Sequence, residues 1–112
     1  MKFMMLVCND PTADPYDPAL DSIETWVADL DARGIRAHGD RLRPPSDART
    51  VRVRGDRTHV TDGPFTELTE SITGYDLLEC DTLEEAVEVA AAHPMARFGA
   101  IEVRAIWPFE GE

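Results

Sequence analysis

Three side chains in the second half of this sequence have the types that proton transfer needs. Asp62 lies in Asp62-Gly63-Pro64-Phe65, at the end of a strand-like run. An aspartate can close an Asx turn there, glycine permits unusual φ, and proline fixes the next φ, so the motif is a corner in any case. The same corner could also hold a carboxylate rigidly. His93 precedes Pro94 at the end of a helical pattern, where a helix dipole favours an imidazolium and where the ring could act as a general acid or base. Arg97, four residues on, could pair with Asp62 or hold an anionic group of a ligand. Asp62 and His93 are therefore the candidate catalytic pair, with Arg97, His38 and Tyr75 as candidate substrate-binding residues.

Other chemistries find little support. The three histidines show no metal-ligand spacing, neither HxH nor HExxH, so no metal site is expected. Ser22, Ser46 and Ser71 lack an elbow motif, and Cys8 and Cys80 sit in apolar strand-like runs without CxxC, as buried reduced thiols would. The glycines form no phosphate-cradling loop, and no cofactor is expected.

These side chains need elements to position them. The 112 residues suffice for one domain with a real core, and 43% hydrophobic with 29% charged residues reads as soluble and globular. The N-terminal apolar run is too short to span a bilayer and lacks the form of a secretory signal, so a cytoplasmic protein with no membrane partner is expected. The net charge of −11 disfavours nucleic acid. It is uneven: residues 33–57 hold eight arginines and three aspartates, a net +5, against −16 for the rest. That basic segment could meet an anionic ligand or a protein partner.

Residues 2–8 predict a strand with apolar residues on both faces. After a proline- and aspartate-rich loop, Ile23, Trp26, Val27 and Leu30 mark one face of a helix over about 19–33. A strand over 35–42 follows, broken by "RPPSD". Next, "TVRVRGDRTHVTD" reads as a hairpin about Gly55-Asp56, a type II′ turn setting Val53 opposite Thr58, Arg52 opposite His59 and Val51 opposite Val60. A strand over 73–80 leads to a helix that Thr82 and Glu85 can start as a capping box, with Leu83, Ala86, Val87 and Ala90 as its buried stripe. The last strand covers 99–108, with Trp107 and Phe109 expected to pack in the core or an interface.

The order β-α-β-hairpin-β-α-β predicts an α+β, ferredoxin-like antiparallel sheet with two helices on one face and an inserted hairpin. Two helices cover one face only, yet Leu77 and Leu78, like Val103 and Ile106, point to opposite sides. A second copy packed sheet to sheet is therefore expected, giving a homodimer.

"VTDGPFTE" at 60–67, "GYDLLECDTLEEAVEVAAAHP" at 74–94 and "ARFGAIEVRAI" at 96–106 resemble the DGPF subgroup of the YCII-related proteins, as does the segment 34–60. The resemblance runs over nearly the whole chain. It implies a ferredoxin-like fold forming a dimeric α/β barrel. It also implies a His/Asp site of the kind proposed for the superfamily, which includes a dehydrochlorinase of a chlorinated hydroxyquinol. In that pattern the histidine comes from the first helix and the aspartate from the end of the second. Here the first helix has no histidine and His93 stands at the aspartate's place, so the resemblance does not transfer the pair. Two functions follow as expectations. One is lyase- or hydrolase-like acid/base chemistry on a small anionic or phenolic metabolite. The other is a non-catalytic ligand- or protein-binding module, and similarity to proteins encoded beside extracytoplasmic-function sigma factors suggests a regulatory partner for it.

Overall fold

The apolar run at the N-terminus becomes the middle of the sheet. The structure, a computed structural model, describes residues 1–110. Strand β1 (Lys2–Cys8) pairs antiparallel with β5 (Ile72–Glu79) on one side and β6 (Ala100–Ala105) on the other, and β2 (Arg36–Arg41) adds to β5, giving the order β2-β5-β1-β6. A strand with neighbours on both sides and apolar residues on both faces belongs at the centre. Helices α1 (Ile23–Ala32) and α3 (Leu83–Ala91) cover one face, where Phe3, Met5 and Leu78 pack with Trp26, Leu30, Ala86, Val89 and Ala90. The arrangement is α+β and compatible with a ferredoxin-like fold. Among the described residues, no helix is long and apolar enough to cross a membrane.

The hairpin of β3 (Arg49–Arg54) and β4 (Arg57–Asp62) forms a separate two-stranded sheet. Its register is the expected one: Val53 faces Thr58, Arg52 faces His59 and Val51 faces Val60. Gly55 takes φ +59° and no other turn residue has positive φ, as a type II′ turn requires. Val51, Val53 and Val60 are all more than half exposed.

Three expectations are corrected. The stripe of α3 is Ala86, Val89 and Ala90, while Leu83 and Val87 are about half exposed. The helix is rotated so that His93, one turn beyond Val89, joins the buried side. The last strand stops at Ala105 rather than 108, after which Ile106 gives its amide to the Lys2 carbonyl at 2.8 Å and Pro108 has none to give. Trp107 and Phe109 consequently stand exposed, outside the core of the single chain. Two one-turn helices, α2 (Glu67–Glu70) and α4 (Met95–Phe98), occupy stretches too short to show a helical period.

Candidate functional site

Strand alternation decides which side chains of β5 look toward the helices. Gly74, Asp76 and Leu78 are buried on that side, opposite Val7, Met5 and Phe3 of β1. An aspartate thus occupies a core-facing position in the middle of the sheet, only 7% exposed. Two features of β2 make room for it. The register slips between Arg36 and His38, a bulge that puts one extra residue between Arg36 and Gly39. Both Arg36 and Gly39 can then address the same face. Gly39 lies opposite Asp76, and any Cβ there would collide with the Asp76 carboxylate. Arg36 gives its Nε–H to Asp76 Oδ1 at 2.9 Å and its Nη2–H to the Gly39 carbonyl at 3.1 Å.

His93 arrives from the turn between α3 and α4 and is likewise 7% exposed. Its Nδ1 accepts the Met95 amide at 2.9 Å. Its ring meets Trp26 edge to face, with centroids 4.7 Å apart, and the Trp26 indole N–H is itself anchored on the Val89 carbonyl at 2.9 Å. Position and orientation of the imidazole are therefore set by both helices.

Asp76 and His93 line one cavity of about 650 Å³, between α1, the β2–β5 end of the sheet and the turn into α4. Its wall is Trp26, Val27 and Met95, and Arg36, Arg41 and Asp21 add charge. Among the described residues these are the two buried polar side chains, and no buried side-chain nitrogen or oxygen lacks a hydrogen bond. Asp76 Oδ2 and His93 Nε2 have no such bond within the protein, so each reaches open space at the cavity wall. Burial pushes the Asp76 carboxyl up, opposed by Arg36. Burial pushes His93 down and so favours the neutral imidazole, opposed by Asp76 and Asp21. A carboxylate and a neutral imidazole at one apolar-walled cavity can share or transfer a proton with a ligand.

Of the other residues singled out in the sequence, Tyr75 also borders this cavity, while Asp62, Arg97 and His38 lie elsewhere. Asp62 is 89% exposed in its side chain and ion-pairs with Arg49 across the hairpin at 3.1 Å, so it is not the partner of His93. The corner it opens does close: Gly63 has φ +90°, gives its amide to Ala48 and accepts the Thr50 hydroxyl at 2.9 Å. Arg97 reaches Asp14 at 3.5 Å, not Asp62, and lines a second cavity of about 580 Å³ on the far side of His93. His38 and Tyr75 meet with ring planes tilted by 57° and centroids 5.6 Å apart, and alternation puts the Tyr75 side chain on the sheet face away from the helices. His38 also approaches Asp40 at 3.3 Å. The residues missed were Asp76, Arg36 and Gly39. Their signal was an acid in phase with Leu78 inside "GYDLLEC", which asks for a buried cation.

The family model of the YCII-related domain matches residues 1–110, and the chain belongs to that family. An uncharacterized protein of Rhizobium meliloti (strain 1021) is 40% identical over 68 residues, which cover 57% of this chain and 53% of that protein. The chain thus spans about half the length of the relative it matches. A solved structure of 5-chloro-2-hydroxyhydroquinone dehydrochlorinase from Burkholderia phenoliruptrix AC1100, in complex with 2,5-dihydroxybenzoquinone, is similar at a TM-score of 0.49 and 14% identity over 100% of both chains.

Proposed function

We propose that the cavity at Asp76 and His93 binds a small molecule and exchanges a proton with it. One observation carries this: the two buried polar side chains of the described fold line the same cavity, each with one atom free of protein partners. Buried ionisable groups whose proton equilibria are displaced by burial are the usual mark of such a site. The apolar wall of Trp26, Val27 and Met95 suits a ring, and the polar end suits a hydroxyl or an anionic group. The chemistry is lyase- or hydrolase-like acid/base catalysis, and the motif Asp62-Gly63-Pro64-Phe65 supports a reading of the chain as one of the DGPF subgroup.

The test is an amide-resolved NMR titration with catechol and with 4-hydroxybenzoate. Shifts gathered at Gly39, Gly74 and Met95 are the expected result. Unmoved amides there, at millimolar probe, would remove the proposal.

The assembly we propose is a homodimer, with the two open sheet faces covering each other. Met4, Leu6, Tyr75 and Leu77 are half-buried on the face away from the helices, an apolar surface with no second layer in one copy. Light scattering should give twice the chain mass, and Leu6→Glu should give one. A single mass for the wild type would refute it.

The basic hairpin supports a second reading, a protein-binding arm for a regulatory partner such as a sigma-factor system. Charge reversal at Arg52 and Arg54 would then abolish partner capture and leave the cavity shifts intact.

A further inference from the structure

The roles of the two cavity groups can be assigned from one hydrogen bond. His93 Nδ1 accepts the Met95 amide proton at 2.9 Å, so its lone pair is engaged and it cannot carry a proton without losing that bond. A neutral imidazole has one N–H, which must then sit on Nε2, the atom that makes no bond inside the protein. We infer that His93 is a fixed Nε2–H donor and not the base, that Asp76 is the only proton acceptor of the pair, and that the ligand is an acidic hydroxyl compound bound as its oxyanion. This rests on the reading of the cavity as a ligand site.

The step balances without a further reactant. The ligand O–H breaks, its proton passes to Asp76 Oδ2, and the electron pair stays on the oxygen. That oxygen accepts the Nε2–H of His93. Arg36 remains on Asp76 Oδ1 throughout. A neutral imidazole donor suits this better than an imidazolium, because it stabilises the anion without surrendering its own proton. The cavity wall is apolar at Trp26 and Val27, and a low local dielectric strengthens the donated bond.

The experiment has two parts on the full chain. First, nitrogen-resolved NMR of histidine-labelled protein at pH 7 reads the His93 tautomer directly. A protonated Nε2 with a bare Nδ1 is expected, and an Nδ1–H tautomer or an imidazolium would overturn the assignment. Second, 4-nitrophenol is added below the pH at which it ionises in water, and its phenolate absorbance is followed. The wild type should bind it as phenolate. Asp76→Asn should lose the absorbance gain. His93→Asn can still accept the Met95 amide, as an Asx turn does, but offers no Nε2–H. It should stay folded and bind the phenolate on the order of tenfold more weakly. Unchanged phenolate affinity in His93→Asn, or a probe bound only as neutral phenol, would sink the donor role and the ligand class. If the catechol and 4-hydroxybenzoate shifts persist in that case, the cavity remains a ligand site with a different chemistry.

Discussion

Among the described residues, two aspartate–arginine pairs are made across neighbouring strands, and they differ sharply. Asp76 and Arg36 meet at 2.9 Å with side chains 10% and 22% exposed. Asp62 and Arg49 meet at 3.1 Å with 89% and 55% exposed. The groups and the spacing are alike, and the surroundings are not. At the hairpin, water screens the attraction and solvates either partner if the other leaves. On the sheet, both groups are largely withdrawn from water, so each depends on the other. A motif that draws the eye in sequence, such as Asp62-Gly63-Pro64-Phe65, can hold the weaker pair, while an inconspicuous aspartate between Tyr75 and Leu77 holds the consequential one.

Substitutions can sharpen or break that contrast. Arg36→Ala should have the largest effect, destabilising by about 3–5 kcal/mol in urea unfolding because it strands a buried carboxylate. The loss should shrink at low pH, where Asp76 can take a proton. Gly39→Ala comes next, at about 1–3 kcal/mol, since the new methyl must push the Asp76 carboxylate aside. It should also abolish the cavity shifts caused by catechol.

A smaller effect concerns pH. Burial in the folded state lowers the His93 pKa below the ordinary histidine value of about 6.5, so its contribution to stability is present above that value and fades as pH falls through the folded pKa. Thermal midpoints of the wild type should fall more between pH 7 and 5 than those of His93→Asn. Equal slopes would mean that burial does not hold the ring neutral. Smallest of all is Arg49→Ala, expected within about 1 kcal/mol of the wild type, as for exposed pairs in general. If it cost as much as Arg36→Ala, the contrast between the two regions would be void.

The parts of the fold visible in sequence are those with a short, local cause. The hairpin register followed from Gly55-Asp56, because a two-residue turn leaves one way to pair Val51 with Val60. The apolar faces of β1 and α1 were equally plain. The stripe of α3 was not, since Leu83-Ala86-Val87-Ala90 and Ala86-Val89-Ala90-His93 fit a helix equally well. Treating His93 as polar favoured the first set, and only its packing on Trp26 selects the second. The site was hidden for a related reason. Asp76, Arg36 and Gly39 come from two strands whose pairing includes a bulge, and a bulge leaves no trace in a hydropathy pattern. His93 was found because it stands beside Pro94. The sequence draws attention to Asp62 because it stands in a conspicuous turn, whereas the structure pairs Asp62 with Arg49.

The edge-to-face contact of Trp26 with His93 has an optical consequence. An imidazolium quenches indole emission more strongly than a neutral imidazole does, and contact distance favours electron transfer from the excited ring. Trp26 should therefore dim as His93 gains a proton and brighten as it loses one. The chain has one other tryptophan, Trp107, which is 90% exposed and would emit at longer wavelength. With Trp107→Phe, the remaining fluorescence comes from an indole resting on the candidate donor, so the protein reports the protonation of that one ring with no label attached.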